Sequence, residues 1–366
     1  MPKLPTQGAS PSIFTARRKW IVLAVVVFLA ALCLLVWSWR DRSASTAPVR
    51  LSHTYAQALD LAHHGKPGAA RVLYQQLART DLSDDRRIAL LAELHNYPSP
   101  QALKLLDTQL TYPSPTARQA AIDASIKLLS NDQWSLLLGP LLEDPEQAVR
   151  FGATRALLGL TPDQLGLYFG VLQQSAEAYQ EFLKAQPASA GNQLQLARLY
   201  LQTGDTAPAL AALQQAIALD PENIEAALAH IELLDSQGQA DEARALFARL
   251  LQRHPDSAQL QHALGTWLLA HDQSEYALLS LAKASELAPD NNDYRYDLAL
   301  ALHDLQQLEA AQKQLTQILQ NEPANRRARV LLIQYWKENG QLQNVQVLLA
   351  ELEQQNPDDP ALQQGL

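Results

Sequence analysis

From Trp20 to Trp37 the chain reads WIVLAVVVFLAALCLLVW, 18 residues without a charge. At helical rise such a stretch spans about 27 Å, close to the roughly 30 Å hydrocarbon core of a bilayer. Trp20, Trp37 and Trp39 stand at its two ends, where indoles favour the headgroup layer. The pattern predicts one transmembrane helix over 20–39, with a short tail at 1–19 and a linker at 40–50. A retained anchor is expected rather than a cleaved leader. Trp37, Trp39, Arg40 and Arg42 lie between the apolar core and the small residues Ser43-Ala44-Ser45. Past residue 50 the pattern changes to apolar positions at helical spacing, interrupted by turn residues. The expected class is therefore all-α, a single membrane helix followed by an α-solenoid.

The solenoid has a beat. Pro187, Pro221, Pro255, Pro289, Pro323 and Pro357 are each 34 residues apart. With each unit numbered so that its proline is position 32, position 8 holds Ala197, Ile231, Gly265, Ala299 and Ile333. Position 20 holds Ala209, Ala243, Ala277, Ala311 and Val345, and position 24 holds Leu213, Phe247, Leu281, Leu315 and Leu349. Gly204, Gly238 and Gly340 share position 15. This resembles the tetratricopeptide repeat over 190–357, five consecutive units. The resemblance implies two antiparallel helices per unit, small residues where they approach, and a core made only by stacking. Position 4 departs from the family, with Gln193, Ala227, Gln261, Arg295 and Arg329 in place of large apolar residues, so looser packing is expected on that ridge.

Ahead of the array, residues 51–84 look like one divergent unit, with Ala58, Gly65, Ala70 and Tyr74 at positions 8, 15, 20 and 24. Residues 86–160 follow another rule. Pro113-Ser-Pro-Thr-Ala-Arg118-Gln-Ala-Ala121 is echoed 32 residues later by Pro145-Glu-Gln-Ala-Val-Arg150-Phe-Gly-Ala153. A proline-led turn followed by a helix with an early Arg resembles the HEAT repeat; degenerate tetratricopeptide units are the alternative. Residues 161–189 are expected to be a connecting helix with Ala178, Tyr179, Phe182 and Leu183 as its apolar stripe, and 358–366 a tail. The order of HEAT-like pairs, connecting helix and tetratricopeptide units resembles the repeat half of multihaem cytochromes. The haem half is missing, since no CxxCH occurs, so electron transfer is not carried over. The layout of anchor plus repeats is also similar to envelope assembly factors such as haem-lyase accessory subunits.

Composition narrows the chemistry. The only Met is the initiator and the only Cys, Cys33, lies in the apolar stretch, so the body holds no sulfur. That excludes disulfide frameworks, thiolate metal sites and thiol nucleophiles there. The net charge is −9; residues 1–44 carry six Lys/Arg and one acid, leaving the body at −14. Such a body suits neither a nucleic-acid groove nor anionic lipid. Lys3, Arg17, Arg18 and Lys19 before the span, against Arg40, Arg42 and Arg50 after it, favour an N-terminus inside and a translocated body. That orientation is expected to place the body in the periplasm of a bacterium, tethered to the inner membrane. No phosphate loop, HExxH, GxSxG or calcium loop occurs, and the nine histidines are scattered. No enzymatic activity and no cofactor or metal are expected.

What remains is binding. In the family the first helices line a concave groove, and that resemblance nominates Arg198, Glu232, Asp235, His262, Thr266, Asp293, Tyr296, His303, Asp304, Gln334 and Lys337 as partner-contacting residues. His262 and His303 are candidates for pH-sensitive binding. The family's basic clamp for chaperone carboxylates is absent. The expected partner is a protein or extended peptide, engaged by a membrane-anchored scaffold in assembly of an envelope complex. The alternatives are a cytoplasmic-facing adaptor and an accessory subunit that docks a respiratory haem protein. Only nine residues follow Pro357, too few for a full polar cap, so the C-terminal end of the solenoid is expected to dock a partner or a second copy.

Overall fold

A computed structural model describes residues 53–363, so the predicted tail, membrane helix and linker lie outside the described residues. Among the described residues no helix is long and apolar enough to cross a membrane, and all regular structure is helical.

The five predicted units start and stop on the beat. Their helix pairs are Ala190–Thr203 (α10) with Thr206–Leu219 (α11), Ile224–Ser236 (α12) with Ala240–Arg253 (α13), Ala258–Ala270 (α14) with Ser274–Leu287 (α15), Asn292–Asp304 (α16) with Leu308–Asn321 (α17), and Arg326–Glu338 (α18) with Leu342–Gln355 (α19). Each first helix is opened by the residue just before it. Ser189, Asn223, Ser257, Asn291 and Asn325 all accept a backbone N–H from the first turn through their side chains, satisfying donors the helix cannot. Each second helix stops one residue before the dipeptide that ends in proline, because proline excludes α geometry from its predecessor.

Position 15 has one backbone requirement in every unit. Gly204, Gly238 and Gly340 have positive φ, and so do Asp272 and Gln306, at φ 57° and 61°. The turn between paired helices needs a left-handed residue, which glycine adopts freely and glutamine only at a cost of about 1–2 kcal/mol. Gln306→Gly is expected to stabilise the protein by about 0.5–1 kcal/mol, after allowing for glycine's greater freedom in the unfolded chain. A urea midpoint that rises without a change in slope checks this. Small residues at positions 8 and 20 are buried as expected. At Gly265 a Cβ would lie 2.6 Å from Leu281 Cγ, so that pair of helices meets more closely than its neighbours.

Where position 4 is arginine it is not loose. Arg295 donates to the carbonyl of Pro289 (3.3 Å) and to Gln314. Arg329, buried, donates to the carbonyl of Pro323 and to Glu351. The guanidinium replaces apolar packing by tying down the proline turn that precedes its own helix.

The first half is built from Tyr55–His63 (α1), Ala69–Leu77 (α2), Asp84–Glu93 (α3), Pro100–Leu110 (α4), Pro115–Leu128 (α5), Asn131–Leu138 (α6) and Gln147–Leu157 (α7). Ala58, Ala70 and Tyr74 are buried and Gly65 has φ +57°, so these residues play the packing and turn roles of positions 8, 20, 24 and 15. In the two proline-led segments, Arg118 donates to the Pro113 carbonyl (3.0 Å) and Arg150 to the Pro145 carbonyl (2.9 Å). This is the same device as at position 4. Arg118 also pairs with buried Asp144 at 2.8 Å. The connector contains Pro162–Leu165 (α8) and Phe169–Ala185 (α9). Its buried stripe is Leu172, Ser175, Ala176, Tyr179 and Leu183, with Phe182 partly buried and Ala178 turned to solvent. The expected stripe is thus displaced by two residues at its start.

The described chain returns on itself. The N–H of Gly68 donates to the Gln354 carbonyl (2.7 Å), Asn356 Nδ2 to the Pro98 carbonyl (2.7 Å), and the N–H of Arg326 to Asn96 Oδ1 (3.3 Å). Ala324 is packed in the same apolar core as Leu73, Leu94 and Tyr97. Asp359, fully buried, grips Arg326 through both carboxylate oxygens at 2.6 and 2.7 Å. Burial, with Asp359 and Asp358 as lesser contributors, pushes the Tyr74 phenol up to about 12 against a lowering hydrogen bond from Ser99. The end of the array that was expected to await a partner therefore already meets the chain's own first repeat. Leu342 and Val347 on α19 nevertheless stay exposed.

Candidate functional site

Closing the ring puts the first half across from the late repeats and leaves two adjoining, half-open cavities between them. The larger, about 1060 Å³, lies between His63, Glu93, His95 and Lys127 on one side and, on the other, Asp290 and Glu322 in turns with Asp293 and Arg327 in the first turns of α16 and α18. The second, about 560 Å³, lies between the α5–α6 corner and α16 and α18. His95, Asn96, Lys127 and Arg327 line both.

The nominated residues divide into three groups. Asp293, Tyr296 and Gln334 line these cavities. Tyr296 carries the Arg327 guanidinium 3.7 Å above its ring, and Arg327 Nη1 is also 3.7 Å from Asp293. Gln334 donates to Glu338 at 3.1 Å.

A second group joins neighbouring repeats. Asp235 accepts from Trp267 Nε1 (3.0 Å) and lies 3.0 Å from His271 Nε2, which stacks on Trp267. His303 Nε2 lies 2.6 Å from Glu338 Oε2, and its ring stacks on Tyr335 at 4.0 Å. Position 12 of one unit thus meets the aromatic at position 10 of the next in both places. His262 repeats the chemistry two turns earlier, 2.8 Å from Asp297 and stacked on Tyr294. The hydrogen bond with His303 holds the Glu338 carboxyl below its ordinary value. These polar atoms are spent on register between repeats.

The third group is peripheral to the cavities. Arg198 lines a separate recess of about 260 Å³ with Arg155 and Tyr179 and reaches Glu225 at 3.1 Å. Glu232, Thr266 and Asp304 are exposed and Lys337 is half-buried.

The four residues that line both cavities all escaped nomination: His95, Asn96, Lys127 and Arg327. Arg327 was within reach, since it occupies position 2, a groove position in the family. The other three come from the first half, and no periodicity in the sequence announces that they face the late repeats. Among the described residues no group of three or more His, Cys, Asp or Glu could hold a metal ion.

Two tetratricopeptide family models match the chain, one over residues 167–224 and one over 204–266. The chain carries tetratricopeptide repeats. No curated protein matches it. Among solved structures, it is similar to MamA protein at 17% identity, covering 45% of this chain and 91% of that one with a TM-score of 0.38. It is also similar to YrrB, titled a TPR protein with an unusual peptide-binding site, at 21% identity over 52% and 97% of the two chains with a TM-score of 0.37. MamA residues 41-end from Desulfovibrio magneticus RS-1 match at 19% identity over 45% and 94%, with a TM-score of 0.37.

Proposed function

We propose that this chain is a membrane-anchored, non-enzymatic scaffold whose solenoid captures a protein or an extended peptide during assembly of an envelope complex. The observation that carries the binding part is the ring interior. First helices of the late repeats and corners of the first half present polar side chains to two cavities, with no metal cluster among the described residues. Concave faces of stacked helix pairs are extended binding surfaces. The anchor, and with it a periplasmic body at a bacterial inner membrane, rests on the uncharged stretch Trp20–Trp37 and the cations before it.

The groove is tested by replacing Tyr296 and Gln334, nominated residues that line the second cavity, with Ala in the full chain. Partner capture in a pull-down from native membranes is expected to fall while the helical circular dichroism is kept. Unaltered capture excludes this stretch of groove. Topology is tested separately by fusing alkaline phosphatase or a fluorescent protein after residue 366; phosphatase activity is expected, and fluorescence with inactive phosphatase would turn the body to the cytoplasm. Exposed Leu342 and Val347 are the surface for self-association, and sedimentation of a Val347→Glu variant tests that role.

A further inference from the structure

We infer that the smaller cavity is a subsite for an acidic segment of a peptide, one whose carboxylates alternate with apolar side chains. The inference rests on the ring being a peptide-capturing scaffold and adds the chemistry of what it captures. The body is strongly acidic, yet no Asp or Glu is among the residues that line this cavity. Its charged residues are Lys127, Arg326 and Arg327, and its floor is apolar, with Leu128, Val330 and Leu331.

The three cations are not equivalent. Arg326 is neutralised by the bidentate grip of Asp359, so it holds the ring closed. Lys127 is exposed and makes no ion pair among the described residues. Arg327 holds its guanidinium carbon 3.7 Å from the Tyr296 ring centroid. Stacking occupies the face of a guanidinium and leaves its edge donors for a carboxylate. Its contact with Asp293 is long, 3.7 Å, between side chains that are 59% and 85% exposed, and solvent screens such a pair to little. Two cations thus line this cavity, Lys127 from the first half and Arg327 from the last repeat. The volume, about 560 Å³, falls in the range of ligand sites. The carboxylates Glu93, Asp290, Asp293 and Glu322 line the adjoining cavity and not this one, and there they would repel the same peptide and so set which way it enters.

The test uses the full chain in detergent and two fluorescein-labelled hexapeptides, one alternating leucine with glutamate and one alternating leucine with lysine. Fluorescence anisotropy is expected to show binding of the glutamate peptide that weakens with salt, and weaker or no binding of the lysine peptide. Lys127→Glu and Arg327→Glu are each expected to weaken the glutamate peptide by about tenfold. Lys283→Glu, the same charge change on α15 away from the cavity, should leave binding unchanged. Equal binding of the two peptides, wild-type affinity in both cavity variants, or an equal loss in Lys283→Glu would overturn the inference. So would citrate displacing the peptide at equal molar concentration, which would make the site one for a free anion. Because the Tyr296 and Gln334 variant reads capture of the native partner rather than of the two peptides, loss of this subsite and loss of the scaffold reading give different results.

Discussion

A Gly65→Val substitution is expected to open the ring while leaving its helices folded. Gly65 has φ +57°, a conformation that costs an L-residue about 1–2 kcal/mol and a β-branched one more. A Cβ there would also lie 2.8 Å from the Pro323 carbonyl oxygen and 3.0 Å from Ala324 Cα. Both obstacles are backbone of the turn that leads into the last repeat, which cannot rotate aside as a side chain can. The strain is relieved by separating residues 65–68 from 323–326 and 354–359. Gly238 provides the control, since it has φ +75° but open space around its missing Cβ. Gly238→Val should carry the local strain without moving the two halves apart. With Cys33 replaced by serine, dyes on Arg71→Cys and Glu353→Cys should lose energy transfer in the Gly65 variant alone, at unchanged circular dichroism. Retained transfer would mean that the loops yield instead.

The largest stability effect is expected from Arg118→Ala. Arg118 and Asp144 have side chains only 9% and 6% exposed and meet at 2.8 Å. The same guanidinium donates to the carbonyls of Tyr112 (2.8 Å) and Pro113 (3.0 Å), and Asp144 also accepts the N–H of Glu146 (2.9 Å). Truncating the arginine strands a buried carboxylate and two turn carbonyls, which costs about 3–5 kcal/mol. Asp144→Ala is costly for the converse reason. The double variant should be less unstable than the two losses added, by about 0.5–3 kcal/mol, because neither charge is then left without its partner. Denaturant unfolding of the four proteins measures this, and strict additivity would show that the two groups do not act as a pair.

The sequence was most legible where one rule repeats. The proline beat placed the ends of the five second helices between 190 and 357, and the residues at positions 8 and 20 are buried. Other devices were written just as plainly but in a second vocabulary. The polar residue before each first helix is a side-chain cap, and the arginines at position 4 satisfy proline-turn carbonyls. Judged only as failed apolar positions, those arginines read as loose packing. Ala178 was misassigned because α9 begins earlier than the stripe implied, and its buried face is set by α7 and α10 on either side. The candidate site was half legible. Residues on the late first helices follow from repeat position, whereas Lys127, His95 and Asn96 enter through contacts such as that between Asn96 and Arg326. No local pattern encodes a partner more than two hundred residues away.

Ring closure changes how the chain must fold. An open array of repeats can nucleate anywhere and grow by nearest-neighbour steps, and losing an end repeat removes only that repeat's share of stability. Here the contact between Asn356 and Pro98 joins segments at opposite ends of the described chain. It can form only after the intervening helices are in register, and it carries a loop-closure entropy that local pairs do not. Once formed it gives the array a boundary-free interior, so fraying from either end must first break the seam. The repeats thereby exchange the graded unfolding of a linear stack for a more nearly all-or-none transition, with the slow step at the seam.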